Sequence, residues 1–430
     1  MPINGWDVRH VIVAYFLSND NKVLVSLFVW PRMAGRAEWA GQQTDKHLSL
    51  WSWGANSYGQ LGNGTKKDVL KPREITPFPI PDLPILITGG GGHTLILTDK
   101  HQIWLCGSNN KGQLGLGTTS DVVVPTLVTR LQDESVVVVT GGWDFSMAVT
   151  ATGKLYSWGS NAFGQLGSTD RGKFSPLPAC VPISFNYHIT NVAAGMRHAV
   201  AVSDSGQVFT WGYGKRGQLG ILIEGEIPDK LPTPHQVRLP EDVNQILDVV
   251  AGSYHTGVNT GAGVLYIWGC NKYGQITQDP GSVRCVPTPY QMDNSFFGDQ
   301  PVTKLTSGWT HLLAVIKDGS IYSWGRADYG QLGRSHDQSH DWVPCKLESD
   351  PPIRPHALSC GSEHNLAISE TGDLLSWGWN EHGICGTEDE TNVYIPYQIQ
   401  LPPGKQVKII GCGAGHSFMM TDYIQPLDRL

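Results

Sequence analysis

The chain has 430 residues, of which 40% are apolar and 16% charged, with a net charge of −7 and 51 glycines. The one basic cluster, Lys66, Lys67, Lys71 and Arg73, is too thin to track a phosphate backbone, so no direct nucleic-acid contact is expected. The apolar runs at 11–17 and 23–30 are each too short to span a bilayer and no signal-peptide cleavage pattern follows them, so no membrane insertion is expected.

Residues 1–49 stand apart as an N-terminal extension. Residues 1–32 could form a small hairpin or be an extension of separate origin, with Met33 as an alternative start. From residue 50 to residue 420 the chain repeats itself seven times, at intervals of about 52 to 57 residues. Residues 421–430 form a short C-terminal tail.

Each repeat carries two signatures. The first is an aromatic-Gly pair leading into a Gly-rich turn, read in the first copy as Trp53-Gly54-Ala55-Asn56-Ser57-Tyr58-Gly59-Gln60-Leu61-Gly62. Its aromatic recurs as Trp158, Trp211, Trp268, Trp324 and Trp377, while Cys106 replaces it once. The second is Gly-x-x-His, with the histidine at His93, His198, His255, His311, His364 and His416 and Phe145 in the remaining copy. Between them lie apolar stretches around Thr-Gly or Asp-Gly turns, as in Leu155-Tyr156-Ser157-Trp158 after Thr152-Gly153, which is a hairpin signal. A further short strand precedes each Gly-x-x-His, and Pro-containing loops such as Pro232 to Pro234 and Pro287 to Pro289 are expected to lead into an outer strand.

Four strands in about 50 residues make a propeller blade. The fold class is therefore all-β, a single seven-bladed β-propeller. The chain enters at the second half of a blade and leaves after the first half of one. Pairing of the N-terminal and C-terminal strands in one blade is expected to close the ring and remove two exposed edges.

Eight cysteines are scattered at Cys106, Cys180, Cys270, Cys285, Cys345, Cys360, Cys385 and Cys412 without a C-x-x-C pair. Buried free thiols in a reducing compartment are the expectation, with no metal site and no cofactor. Six histidines at one repeat position invite a metal or catalytic reading. A residue needed once per blade is better read as part of the blade, and Phe145 shows that the slot tolerates loss of the imidazole. The tryptophans are likewise read as packing between blades. The Gly-rich strings at 89–92 and 411–415 lack the Lys-Ser/Thr and helix of a phosphate loop.

Function is therefore sought where the copies differ. The variable positions inside Gly-x-x-His include Trp143, Asp144, Arg197, Tyr254, Trp309 and Glu363. The turn after each aromatic-Gly pair supplies Arg326, Asp328 and Glu381, along with Tyr58, Lys111, Phe163, Lys215, Arg216, Lys272, Tyr329 and His382. Aromatics mixed with Arg and acids have the composition of a protein-binding surface.

Trp-Gly-x-Asn-x-x-Gly-Gln-Leu-Gly together with Ala-Gly-x-x-His resembles the repeat of the regulator of chromosome condensation family, over residues 50 to 420. Residues 53–61, 89–94, 141–145, 307–312, 324–333, 360–368 and 377–383 resemble most a branch of guanine nucleotide exchange factors linked to secretion. The resemblance implies a GTPase-pathway propeller without bond chemistry, acting on a small GTPase or an exocyst component. It also implies a cytoplasmic location, with the nucleus as a second compartment, and a monomer is expected. The alternative is an interaction scaffold without exchange activity. In the family's founding member a small protruding wedge disturbs the nucleotide site. The candidate insertions here, residues 221–229 and 278–285, do not read as a clear wedge.

Overall fold

The computed structural model describes residues 48–183, 186–335 and 338–423. They form seven four-stranded antiparallel sheets. We number the blades in chain order: blade 1 spans residues 84–127, blade 2 136–180, blade 3 189–237, blade 4 246–291, blade 5 302–346 and blade 6 355–398. Blade 7 joins residues 405–423 to residues 49–74. Helical structure among the described residues is limited to 3-10 turns of three or four residues.

The ring closes as the sequence implies. Strand Ser49–Gly54 pairs with His416–Tyr423 from Ser49 opposite Thr421 to Gly54 opposite His416. Trp51 Nε1 donates to Thr421 Oγ1 at 3.1 Å across that seam. The expected extension 1–49 lies outside the described residues except for its last two. Thr421 to Tyr423, expected in a tail, continue the closing strand.

Inside a blade the second strand is buried on both sides rather than on alternate positions, as in His93–Thr98. The period of two is still present but is divided between two neighbours. Leu95 and Leu97 pack in one cluster with Val136, Val139 and Trp158 of blade 2. Ile96 packs in another with Leu50 and Phe418 of blade 7 and with Ile75, which follows its outer strand. The apolar core therefore lies between blades, and each blade is held by burial against both neighbours.

Two sequence expectations need correction. Pro232, Pro234, Pro287 and Pro289 sit within the outer strands Lys230–Val237 and Cys285–Gln291, where the register against the third strand breaks. An edge strand tolerates the missing N–H. Of the cysteines, Cys106, Cys270, Cys385 and Cys412 are buried, but Cys180 is exposed and Cys285, Cys345 and Cys360 are half-buried.

Candidate functional site

The repeat signatures build seams between blades. The glycine of each Gly-x-x-His lies under the ring that follows it. A Cβ on Gly361 would come 2.0 Å from His364 Cε1, and one on Gly142 would come 2.0 Å from Phe145 Cε1. Each imidazole then reaches the next blade. His93 Nε2 meets Ser146 Oγ at 2.9 Å, His198 meets Thr256 at 2.9 Å, and His255 meets Ser307 at 2.9 Å. His311 meets Asn365 at 2.8 Å, His364 meets Ser417 at 3.0 Å, and His416 meets Thr94 at 2.8 Å.

Most of these partners turn their own proton the other way. Ser146 Oγ donates to the Gln113 carbonyl and Ser417 Oγ to the Ile384 carbonyl. The ring must therefore donate through Nε2–H. Burial pushes His93, His198, His255, His364 and His416 down to about 3, so they are neutral. His311 differs. Burial opposes its charge, but Cys360 and Glu363 outweigh burial and raise it to about 10.

The same carbonyls anchor the tryptophans. Trp158 Nε1 donates to Gln113 O at 2.8 Å, and Trp53 Nε1 to Ile384 O at 2.8 Å. Cys106, which replaces Trp, sends its thiol towards the equivalent Gln60 carbonyl at 3.6 Å. Trp211, Trp268 and Trp324 repeat the bond, and Trp377 is equally buried without it. Through Nε2 the six histidines, and through Nε1 every tryptophan of the set but Trp377, join neighbouring blades.

The variable residues share one face. Successive strands in a blade are antiparallel, so the turn between the first and second strands and the turn between the third and fourth open on the same side. Hydrogen bonds tie the two turns together in every blade. Ser160 N donates to Asp144 O, Tyr213 N to Arg197 O, Cys270 N to Tyr254 O, Arg326 N to Thr310 O and Trp379 N to Glu363 O, with Ser108 to Gly92 and Ala55 to Gly415 completing the set. The residue after each aromatic-Gly pair thus stands beside the residue before each His slot. Sequence reasoning singled out that position only as Arg326 and overlooked Tyr213 and Trp379; Tyr273, one residue from Lys272, was also missed.

At the centre, Trp143 of blade 2 and Trp309 of blade 5 meet across the ring with centroids 5.1 Å apart. Trp309 also lines the central channel, a space of about 200 Å³ walled by small residues of the first strands. Its backbone is fixed on both sides, with Ser253 N donating to Trp309 O and Trp309 N to Ser362 O. To one side Arg197 lies 4.4 Å over Phe163, which packs on Tyr213, which packs on Tyr254. To the other, Arg326 stacks on Tyr273 and Tyr329 and pairs with Asp328 at 2.8 Å.

The acids are less open. Burial raises the Asp144 carboxyl, against hydrogen bonds from Ser160 and Gln165 and the charges of Lys111 and Arg197. Glu363 is 6% exposed and accepts from Thr310 Oγ1 and Gln331 Nε2, which assigns its carboxylate to the seam between blades 5 and 6 rather than to the open face. Glu381 is exposed, next to His382, whose Nδ1 lies 2.7 Å from Asp68 of blade 7.

Residues 221–229, a candidate insertion that does not read as a clear wedge in sequence, form a small hairpin in the outer turn of blade 3 on this same face. Ile223 and Glu226 exchange two backbone hydrogen bonds around Glu224 and Gly225, both with positive φ. Residues 222–227 are exposed, including Leu222, Ile223 and Ile227. The second insertion, residues 278–285, folds over Asp279, whose carboxylate accepts from Gly281 N and Ser282 Oγ.

Comparison with known proteins decides the family. The RCC1-like domain matches residues 49–419. The chain belongs to that family. It is 39% identical to the secretion-regulating guanine nucleotide exchange factor of Mus musculus, over 89% of this chain and 85% of the relative. The Bos taurus protein of the same name is 38% identical over 86% of this chain and 83% of its own length. Among solved structures, Prp20p from Saccharomyces cerevisiae, described with its binding to Gsp1p and histones, superposes with a TM-score of 0.75 at 23% identity, covering 90% of this chain and 93% of that one.

Proposed function

We propose that this RCC1-like propeller is a guanine nucleotide exchange factor that docks a small GTPase on the face carrying Trp143, Arg197, Tyr254 and Trp309. The observation that carries the reading is the hairpin at 221–229, an exposed apolar tip with two carboxylates rising from that face. Exchange needs no bond chemistry. It needs a broad docking surface and an element that disturbs the phosphate and magnesium site, so that the nucleotide-free GTPase is stabilised and nucleotide leaves faster. Glu224 and Glu226 at the tip would compete with phosphate for the cations of that site, and Leu222, Ile223 and Ile227 would bury apolar surface beside it. The relatives named as exchange factors support this activity, and their names carry a role in secretion to this chain. We extend the proposal to an exocyst component as a further partner, to a monomer, and to the cytoplasm with the nucleus as a second compartment.

The test is nucleotide release from a panel of small GTPases loaded with fluorescent GDP. Acceleration by the full chain for at least one member, lost when residues 222–227 are replaced by a short Gly-Ser turn, is expected. Binding without acceleration of any member would leave an interaction scaffold instead.

A further inference from the structure

The face is uneven in charge. Lys111 stands on blade 1, Arg197 and Arg216 on blade 3 and Lys272 on blade 4, and none of these four cations has a carboxylate within ion-pair distance among the described residues, whereas Lys215 is already paired with Asp229 at 3.1 Å. Lys111, Arg216 and Lys272 are exposed and Arg197 is half-buried.

Aromatic rings lie between these charges. The Arg197 guanidinium is held over Phe163, and Lys272 lies 4.9 Å over Tyr273. Tyr213 and Tyr254 continue the surface between them, with Tyr254 Oη donating to Met196 Sδ at 3.5 Å. A guanidinium held on a ring is already ordered, so it loses little freedom when it binds a carboxylate in a forked pair.

We propose that the arc from Lys111 to Lys272 docks an acidic linear segment of a protein partner, one that carries an aromatic or large apolar side chain among its carboxylates. The carboxylates pair with Arg197, Arg216 and Lys272, and the apolar side chain packs on Tyr213 and Tyr254. A nucleic-acid strand fits less well. Asp144 sits inside the arc, and Glu224 and Glu226 border it, so a continuous polyanion meets repulsion that a short acidic segment avoids by its spacing. The inference does not depend on exchange activity, because it concerns a ligand of the arc and not the nucleotide state of a GTPase.

The test is fluorescence anisotropy with the full chain and three labelled probes: a Glu/Asp peptide containing two tyrosines, its Gln/Asn counterpart, and single-stranded oligothymidylate. The acidic peptide alone is expected to bind, with an affinity that falls as salt rises. The double variant Arg216→Glu, Lys272→Glu should weaken it at least about tenfold, and Phe163→Ala should weaken it too. Lys100→Glu, in a turn on the opposite face, should leave it unchanged. Melting curves would confirm that each variant is folded. Failure of the acidic peptide to bind, equal affinity of the Arg216→Glu, Lys272→Glu variant, or tighter binding of the oligonucleotide would overturn the proposal.

Discussion

Trp143 and Trp309 stand 5.1 Å apart across the mouth of the channel, joining blades 2 and 5, which share no strand pairing. The contact adds nothing to any seam between neighbouring blades, and Trp143 is 44% exposed. Trp309→Ala should therefore shift the melting temperature by only a few degrees. It should cost about 2 kcal/mol or more in partner affinity, as removal of a central aromatic does. Calorimetry of binding beside thermal unfolding separates the two effects.

Phe145 and Ala199 occupy, in the junction between blades 2 and 3, the places that His364 and Ser417 hold between blades 6 and 7, and they share one apolar cluster. The pair shows what the seam requires when the hydrogen bond is absent. Ser417→Ala alone should leave His364 Nε2–H unpaired and cost about 1–3 kcal/mol. His364→Phe with Ser417→Ala should cost less than the sum of the single changes. Urea unfolding of the four proteins in the cycle reads the difference.

Gly361→Ala should destabilise strongly, by several kcal/mol, because its Cβ would meet the His364 ring and the Gly413 carbonyl, neither of which can move without opening a seam. Gly64→Ala, in an open loop with nothing within 4 Å, should cost only about 1 kcal/mol from its φ of +78°. Expression level and melting temperature of the two variants give the comparison.

The histidines set the acid limit of the fold. Five imidazoles fall from 6.5 to about 3 on folding. Below pH 6.5 the unfolded chain binds protons that the folded chain refuses, so stability falls as pH falls from 6.5 towards 3. His311 has the opposite sign. Its contribution is present below pH 6.5 and is lost as pH rises towards 10. His364→Phe with Ser417→Ala should reduce the proton dependence of unfolding between pH 6 and pH 4 by about one proton, measured from the slope of stability against pH.

The sequence showed the fold almost whole, because seven copies with the same Trp-Gly and Gly-x-x-His spacing leave few alternatives. The closing pair of Ser49–Gly54 with His416–Tyr423 was legible from where the repeat is cut. The site was legible only in part. Trp143, Arg197, Tyr254 and Trp309 emerged as departures from the repeat and share one face. Glu363 was offered for the same reason, but a side chain's depth depends on neighbours such as Gln331 that lie in another blade. Tyr213 and Trp379 were overlooked because nothing in the sequence shows that the constant spacing from the residue before the His slot to the residue after the aromatic-Gly pair marks a hydrogen bond across strands. Residues 221–229 were legible as an insertion but not as a hairpin, because an insertion of a few residues has no periodicity and its shape comes from Glu224 and Gly225 at positive φ.

The central claim is that partners bind the face formed by the variable turns. Hydrogen exchange of the full chain, free and bound to a small GTPase, tests it most directly. The account predicts slowed exchange in residues 141–145, 195–198, 221–229 and 308–311. Slowed exchange confined to the opposite turns, at residues 99–102, 151–154 and 317–320, would contradict it.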